Sequence, residues 1–556
     1  MRLVDRVASR VLGLPPATSA YTVERGLRVP MRDGVQLVAD RYSPDGPVRG
    51  TLLVRGPYGR GFPFSLFFAT AFAARGYQVV FQSVRGTYGS GDEFQPMFRE
   101  VDDGADTVAW LRAQPWYTGS FGTVGLSYLG FTQWALLADP PEDLAASVVL
   151  VGPHDFSRAT WGTGAFTVND FLGWSDLVAH QEDPGRLRGL LRQVTGPRRL
   201  GPALDALPLG DAGERLLAGR GRWYRDWVAH PDRSDPWWTP VQLDRALDRS
   251  GVPVLLIGGW QDLFLEQTLD QYLRLRDAGA DVALTVGPWT HTETLSRGGG
   301  LITRESLDWL GEHLAGTGPR SRPARVHVHV TGAGEWRWMP DWPPATEQRT
   351  VFLAGGGRLS DTAPGEDAPP ATFVADPAEP TPSVGGRLLD NRSGGYADDT
   401  ALAGRDDVAA WFSEPLPADL EVLGRPVLEL HHGSDVGHVD VAVRLSRVDR
   451  RGRSRNVSDG YLRLVPGDPG TDPAGGTLRL ELDAVAHRFP AGSRLRLVVA
   501  GSSHPHWARN TGTGEPPETA VRTVRSTRTV SVAGGASRLL LPVSPAGRTP
   551  GPASRG

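Results

Sequence analysis

The chain has 556 residues, a formal net charge of −4, and 40% hydrophobic and 22% charged residues. That length predicts roughly two to four domains, and a near-neutral charge without basic runs excludes a typical nucleic-acid partner. There is no cysteine, and all 59 basic residues are arginine, which excludes thiol nucleophiles, cysteine-bound metals and lysine Schiff bases.

Neither the N-terminus nor the most apolar stretch predicts a membrane segment. Residues 1–14 place leucine and valine at helical spacing, but charged residues interrupt them and no apolar signal-peptide centre is present. The apolar run at 62–74 is shorter than the roughly 20 residues that span a bilayer. The sequence therefore predicts a cytoplasmic protein without a membrane partner.

Short strands alternate with helices over the first 150 residues. A hairpin is predicted over 21–42, around the turn Arg32-Asp33-Gly34. Further strands are predicted at 51–55, 77–82, 122–126 and 146–151, and helices at 62–74, from Asp102 onward and after Ser127. This alternation predicts an α/β fold with a parallel, doubly wound sheet.

Residues 152–250 follow a different pattern, with helical stretches rich in arginine, leucine and tryptophan and no clear buried strand. The α/β rhythm returns with strands at 252–260 and 282–286 and a helix at 266–276. Such an insertion predicts a helical cap over the carboxyl edge of the sheet, where open α/β sheets bind ligands.

From about Arg349 onward, short alternating runs separated by glycine, proline and aspartate predict a β-sandwich or jelly roll. Its predicted strands are 350–353, 427–431, 439–445, 478–482 and 495–499. Residues 355–386 read as a long connection and 543–556 as a disordered tail. We therefore predict an α/β core at 1–152 and 251–345, a helical cap at 153–250 and a jelly roll at 346–556.

A candidate nucleophile stands within residues 122–137, where an apolar strand runs through Ser127 into a helix. A serine at such a turn presents its hydroxyl beside backbone N–H groups at a positive helix end. The usual elbow has glycine two residues before and after the serine. Gly125 fits, but Leu129 takes the second place and the glycine comes one residue later, at Gly130. On this motif alone, an ordinary strand-to-helix turn is an equal alternative.

An activated serine needs a general base and an acid that orients the base. His291 follows the strand at 282–286 after a tight loop, and Asp262 follows the strand at 252–260. No His-Glu-x-x-His pattern supports a zinc protease. Serine, aspartate and histidine thus leave predicted strand ends in the chain order of an α/β-hydrolase, which favours a triad that needs neither metal nor cofactor.

Several short motifs are spread along the chain. They are Arg32-Asp33-Gly34, Gly56-Pro57-Tyr58, Arg85-Gly86, Gly125-Leu126-Ser127-Tyr128-Leu129-Gly130, Trp260-Gln261-Asp262, Gly287-Pro288-Trp289-Thr290-His291, Phe412-Ser413-Glu414-Pro415-Leu416 and Ser458-Asp459-Gly460. Together they resemble the cocaine esterase and X-Pro dipeptidyl-peptidase (CocE/NonD) family of serine hydrolases. The resemblance covers nearly the whole chain and explains the displaced glycine, since the family carries Gly-x-Ser-Tyr-x-Gly. It implies an α/β-hydrolase core, a helical cap and a C-terminal jelly roll.

The same resemblance implies roles for five further residues. The Tyr58 hydroxyl and the Tyr128 backbone N–H would form the oxyanion hole, and Trp161, Trp174 and Phe264 would line the acyl pocket. A solvated turn residue is the alternative for Tyr58, and plain core packing is the alternative for the three pocket aromatics.

The expected activity is hydrolysis of carboxylic esters through an acyl-enzyme on Ser127. Esters are favoured because residues 263–265 are apolar and no carboxylate cluster is evident for a free α-amino group. An X-Pro dipeptidyl-peptidase or related amide hydrolase is the alternative within this chemistry. A non-catalytic protein with a carbohydrate-binding jelly roll is the alternative from another class. A homodimer is a further possibility that the sequence does not decide. The segment His504-Pro505-His506-Trp507 would then belong either to the rim of the site or to a dimer face.

Overall fold

The computed structural model describes residues 9–184, 195–196, 198–249, 251–317, 322–389, 393–467, 475–545 and 553–554. The chain divides into two compact units. The first unit holds residues 1–157 and 234–327, and the second holds residues 158–233 and 328–555. The bounds of these two units differ from those of the core, cap and jelly-roll segments predicted from the sequence, and that domain division stays a prediction. The disordered tail predicted at 543–556 lies largely outside the described residues.

A mixed sheet forms the centre of the first unit. Its strands are β1 (Tyr21–Pro30), β2 (Gln36–Pro44), β3 (Thr51–Gly56), β4 (Gln78–Ser83), β5 (Phe121–Leu126), β6 (Leu144–Leu150), β7 (Val254–Gln261) and β8 (Val282–Thr290). They lie in the order β1-β2-β4-β3-β5-β6-β7-β8. Strands β3 to β8 run parallel, and β1 and β2 add an antiparallel edge. Strands β3, β4, β5 and β7 are buried along their whole length and rich in apolar residues, as expected for strands covered on both faces.

The helices of the first unit are Glu100–Arg112, Tyr128–Leu137, Arg245–Arg249, Leu265–Asp277, Glu293–Ser296 and Gly299–His313, with Phe156–Trp161 crossing the division and a 3-10 turn at Pro236–Val241. The helix predicted at 62–74 is present in a shorter form, since residues 64–73 are helical without a break. A π-helical turn at Leu66–Thr70 runs into the short helix Ala71–Ala73. Helical structure begins only after Pro63, because proline is tolerated in the first turn of a helix but not in its interior.

A buried ion cluster ties β8 to the helix Gly299–His313 of this unit. Glu305 accepts hydrogen bonds from Thr285 Oγ1 at 2.5 Å and Arg322 Nη1 at 2.7 Å, and its other oxygen lies 2.7 Å from His327 Nδ1. Burial alone raises the pKa of the Glu305 carboxyl, but the bond to His327 and the charge of Arg322 outweigh it and lower that pKa to about 2.

We expect Glu305→Gln to destabilise the protein most at neutral pH. The carboxylate has a lowered pKa in the folded state, so its stabilisation is complete above about pH 5 and is lost as pH falls toward 2. At about 1.4 kcal/mol per pKa unit this amounts to roughly 3 kcal/mol at pH 7. Urea unfolding should show the gap between wild type and variant narrowing by about 2 kcal/mol from pH 7 to pH 3. A gap independent of pH would contradict the assignment.

The second unit combines helices with an all-β region. Its helices include Val168–Ala179, Leu209–Leu217 and Arg222–Ala229, and the described residues 195–196 and 198–204 are also helical. The strands are β9 (Val326–Val330), within which the division falls, β10 (Glu335–Met339), β11 (Glu347–Ala354), β12 (Arg358–Ser360), β13 (Ala371–Ala375), β14 (Val408–Phe412), β15 (Leu420–Gly424), β16 (Val427–Ser434), β17 (Val439–Val448), β18 (Ser454–Leu464), β19 (Gly476–Glu481), β20 (Val485–Phe489), β21 (Arg494–Ala500), β22 (Ser526–Ser531), β23 (Arg538–Val543) and β24 (Ala553–Ser554), with 3-10 turns at Thr400–Gly404 and Ala533–Gly535.

The core of this region is built from inward-facing leucine, valine and aromatic residues of the strands from β11 to β23. The all-β C-terminal region predicted from the sequence is confirmed. The unstructured connection predicted at 355–386 is wrong, because β12 and β13 lie within it. Gly356 and Gly357 have φ of 70° and 68°, which lets the chain turn back so that Ala354 pairs with Arg358.

Across the described ranges, no helix is both long and apolar enough to cross a bilayer.

Candidate active site

Ser127 occupies a strained turn between β5 and the helix Tyr128–Leu137. Its φ of 57° and ψ of −121° are unfavourable for a residue with a side chain. The turn is held by the Ser127 N–H, which donates to Leu150 O at 2.9 Å, and by its carbonyl, which accepts from Gly130 and Phe131. The side chain makes no capping bond to the helix and stays partly exposed. The hydroxyl is therefore available to a reactant, as at a nucleophile elbow.

The displaced glycine of the elbow has a packing reason. Leu129 fills the space beside two glycines, since a Cβ at Gly56 would lie 2.3 Å from Leu129 Cδ1 and a Cβ at Gly125 2.4 Å from Leu129 Cβ. The helix instead makes its close approach one residue later, where a Cβ at Gly130 would lie 2.7 Å from Gly152 Cα. The close contact with the chain after β6 thus requires glycine at 130.

The ends of β7 and β8 bring an aspartate and a histidine together. The register of the pair shifts after Gly259, so that Gln261 lies opposite Thr290. The next residue on each strand is Asp262 and His291, and His291 Nδ1 lies 2.6 Å from Asp262 Oδ1. The contact between Asp262 and His291 therefore follows from the register of β7 and β8, whose last residues are paired with each other.

The tight loop predicted before His291 is wrong, since β8 continues to Thr290. Proline is compatible with extended backbone, and the Trp289 indole folds over Gly287, where a Cβ would lie 2.4 Å from the ring. A Cβ at Gly259 would lie 2.3 Å from Trp289 O. Gly259 and Gly287 thus allow β7 and β8 to stay paired up to the residues directly before Asp262 and His291.

The aspartate and histidine are buried and oriented. Asp262 is 0% exposed and His291 4%. The second carboxylate oxygen, Oδ2, accepts the Phe264 N–H at 2.9 Å, and the Phe264 ring stands at 80° to the imidazole with centroids 5.5 Å apart. A carboxylate is an acceptor only, so His291 Nδ1 carries a proton and donates it to Asp262. In the neutral imidazole this leaves Nε2 as the proton acceptor.

The two predicted oxyanion donors leave the same sheet edge as Ser127. β3 and β5 are parallel neighbours, and Tyr58 follows β3 by two residues, as Ser127 follows β5 by one. The half-buried Tyr58 ring stacks on Phe64 with centroids 5.1 Å apart. Tyr128 is the first residue of its helix, where backbone N–H groups point out of the positive helix end.

Two family models match the chain: X-Pro dipeptidyl-peptidase (S15 family) over residues 33–293, and the X-Pro dipeptidyl-peptidase C-terminal non-catalytic domain over residues 319–540. The chain is also 32% identical over 546 residues to cocaine esterase of Rhodococcus sp. (strain MB1 Bresler), covering 89% of this chain and 93% of that protein. The chain belongs to the cocaine esterase and X-Pro dipeptidyl-peptidase family of α/β-hydrolases.

This membership confirms the predicted family and makes the chain a serine hydrolase. A putative serine esterase of Mycobacterium bovis is 26% identical over 604 residues, covering 89% of this chain and 93% of that protein. The structure of an aminopeptidase from a marine sediment Thaumarchaeota archaeon has a TM-score of 0.81 at 23% identity, covering 94% of this chain and 96% of that one, and shares the fold. Every candidate site residue lies within the 33–293 match.

The sequence reasoning missed a buried cluster behind the elbow. Tyr128 Oη donates to Glu100 Oε1 and accepts the Met97 N–H, both at 2.8 Å. The other carboxylate oxygen of Glu100 lies 3.0 Å from Arg55 Nη2. Glu100 starts a helix rich in acids, and the acids at Asp102 and beyond were interpreted only as favourable to the helix dipole.

Trp161 and Trp174 belong to the second unit and are buried there. The Trp161 indole N–H donates to Trp227 O at 2.8 Å, and the rings of Trp174 and Trp227 lie 5.9 Å apart. Both therefore contribute to the helical core of this unit, and their role in an acyl pocket stays a prediction.

The segment His504-Pro505-His506-Trp507 also packs inside the second unit. Trp507 stacks between Tyr461, with centroids 4.1 Å apart, and His506, with centroids 3.6 Å apart. These three side chains are buried and do not offer an exposed dimer face. Within the described ranges, no three His, Asp or Glu side chains are grouped to hold a metal ion. A reaction without metal or cofactor stays a prediction.

Proposed function

We propose that the protein hydrolyses carboxylic esters in two acyl-transfer steps at Ser127. His291 Nε2 accepts the hydroxyl proton while Ser127 Oγ bonds to the ester carbonyl carbon, and Asp262 stabilises the resulting imidazolium. The bond to the alcohol oxygen then breaks, and the alcohol leaves with the proton from His291. Water enters by the same route and releases the carboxylic acid.

The contact between His291 Nδ1 and Asp262 Oδ1 carries this proposal. It sets the imidazole tautomer that a general base needs. It occurs at the paired ends of β7 and β8, in the same sheet as β5, which ends in the strained Ser127 turn. A serine, a histidine and an acid arranged in this way define nucleophilic acyl transfer on several unrelated folds.

The tetrahedral intermediate of this reaction carries a negative oxygen. We assign its stabilisation to the Tyr58 hydroxyl and the Tyr128 backbone N–H. A phenol beyond one strand end and a helix N-terminus beyond the adjacent strand end present two donors to one sheet edge, and donors fixed before the reaction are worth most in the transition state.

We expect Tyr58→Phe to lower kcat by about 10²–10³-fold while KM changes little, because the donor acts on charge that develops during the reaction. Steady-state kinetics on a p-nitrophenyl ester measure both constants. Tyr117→Phe is the matched control. Tyr117 precedes β5 and so lies at the opposite end of that strand from Ser127, and its phenol donates a hydrogen bond to Asp143. Equal losses in the two variants would remove Tyr58 from the oxyanion hole.

The substrate class is the second part of the proposal. Phe264 is buried beside His291, and Leu263 and Leu265 on either side of it are apolar, which favours an apolar acyl ester over a substrate with a charged N-terminus. An X-Pro dipeptidyl-peptidase is the second candidate, because the chain matches that family over its catalytic region.

One panel separates the candidates. Wild type and Ser127→Ala are assayed on p-nitrophenyl acyl esters, an aromatic ester and alanyl-prolyl p-nitroanilide. We expect the wild type to turn over the esters faster than the anilide, and Ser127→Ala to turn over neither. Faster anilide cleavage would assign the peptidase activity instead. Absence of all turnover by folded wild type would favour a non-catalytic protein.

The family supports a small ester or short peptide as the substrate. A cytoplasmic location and a homodimer remain predictions from the sequence. Sedimentation of the purified full chain at several concentrations would test the dimer.

A further inference from the structure

We propose that Glu100 is a positioning residue for the oxyanion hole, and that its carboxylate holds both donors in place at once. This inference rests on the proposed function, in which Tyr58 and the Tyr128 N–H stabilise the oxyanion. Glu100 does not approach the reactant. It acts through a buried chain of contacts that reaches Tyr128 on one side and the strand before Tyr58 on the other.

The contact on the elbow side fixes the residue that supplies the backbone donor. Tyr128 Oη donates to Glu100 Oε1 at 2.8 Å, and the Met97 N–H donates to the same phenol oxygen at 2.8 Å. Tyr128 is 1% exposed, and Met97 adopts a φ of 74°, rare for a residue with a side chain. Because the phenol and the N–H belong to one residue, anchoring the phenol limits movement of the first helical turn after Ser127.

The contact on the other side fixes the end of β3. Arg55 is the fifth residue of β3 and stands three residues before Tyr58. Its Nη2 lies 3.0 Å from Glu100 Oε2, its Nη1 donates to Glu100 O at 3.2 Å, and its Nε donates to Gln82 Oε1 at 2.7 Å. The Arg55 and Glu100 side chains are 1% and 3% exposed.

A carboxylate suits this place because one oxygen accepts a hydrogen bond from the Tyr128 phenol while the other lies in ion-pair contact with the Arg55 guanidinium. Burial raises the pKa of Glu100, and Arg55 and the Tyr128 hydroxyl offset only part of that rise. Buried ion pairs of this kind often add little to stability compared with apolar residues of the same volume. We infer that the Arg55–Glu100 ion pair contributes to catalysis instead, by fixing the Tyr58 hydroxyl and the Tyr128 N–H relative to each other.

The test is a double-mutant cycle on kcat for a p-nitrophenyl ester, using Glu100→Gln, Tyr58→Phe and the double variant. Glutamine keeps the shape and can still accept from the Tyr128 phenol, but it loses the ion pair with Arg55. We expect Glu100→Gln to lower kcat about 10-fold with KM within about two-fold of wild type. In the Tyr58→Phe background the same change should lower kcat by less than about 3-fold, since one of the donors it positions is already lost.

Glu305→Gln is the matched control, being the same substitution in another buried ion pair of the first unit. It should lower the unfolding midpoint while kcat stays within about two-fold of wild type. Equal kcat losses in both Glu→Gln variants, or full multiplication of losses in the Glu100→Gln/Tyr58→Phe double variant, would overturn the positioning role. Should Glu100→Gln not fold, Arg55→Gln takes its place in the cycle, because it breaks the same ion pair from the side of Tyr58, with the same outcomes.

Failure of this inference is distinguishable from failure of the proposed function. If Ser127→Ala abolishes turnover and Glu100→Gln behaves like the control, only the positioning role falls. If Ser127→Ala retains turnover, the proposed function falls with it.

Discussion

Replacing Ser127 by alanine should lower kcat on a p-nitrophenyl ester by about 10⁵–10⁶-fold, the scale observed when a serine nucleophile is removed from a triad. The bond between Ser127 Oγ and the acyl carbon cannot form, and His291 has no hydroxyl proton to accept from the substituted side chain. Stability should change little, because alanine also carries a Cβ and so meets the same strain at a φ of 57°.

The measurement that assigns this loss to the nucleophile is covalent labelling. A fluorophosphonate should add one adduct to wild type, visible by intact mass, and none to Ser127→Ala. Ser43→Ala is the matched control, since this serine is also partly exposed but lies on β2, which pairs with β1 and β4. It should keep full labelling and full kcat. Labelling of Ser127→Ala at another serine would contradict the assignment of Ser127.

The proposed triad could be predicted because each of its members follows a strand. Ser127, Asp262 and His291 stand one residue after β5, β7 and β8, and buried apolar strands of a parallel sheet are recognisable from composition alone. Once the strands are placed, topology brings their ends together. The sequence therefore predicted that these three residues follow strands of one parallel sheet, although it misplaced the end of β8 by four residues.

Contacts between distant segments were not predictable in this way. Arg55 and Glu100 are 45 residues apart, and each looks ordinary by itself: an arginine near a strand end and one acid among several at a helix start. Their pairing depends on the relative placement of a strand and a helix, which periodicity does not encode. The same holds for Trp161 and Trp174, whose sequence surroundings do not distinguish a core position from a pocket wall.

The displaced glycine shows how a local rule gives way to packing. The usual elbow places glycine where this chain has Leu129, and that side chain is accommodated because Gly56 on β3 and Gly125 on β5 leave the room. The need for a small residue then moves to Gly130, against Gly152. A sequence pattern records the glycines but not which neighbour each one admits.

Asp262→Asn should leave the fold intact and lower kcat by about 10⁴-fold, the loss known for this change in a serine triad. The surroundings of Asp262 give a reason specific to this chain. The Phe264 N–H donates to Oδ2 at 2.9 Å, so in the variant the amide oxygen must face that N–H, because an amide NH₂ there would place two donors together.

The amide NH₂ of the variant then faces His291 Nδ1, where the wild type has the acceptor Oδ1 at 2.6 Å. Nδ1 must become the acceptor, and the imidazole proton moves to Nε2. A histidine protonated at Nε2 cannot take the proton of Ser127, so the acylation step itself should slow. Stopped-flow acylation measures this directly. The control is Asp277→Asn, because Asp277 is an exposed aspartate at the C-terminal end of the helix Leu265–Asp277. Slow acylation in Asp262→Asn with unchanged KM supports the tautomer account, whereas a rise in KM at normal kcat would place Asp262 in substrate binding instead.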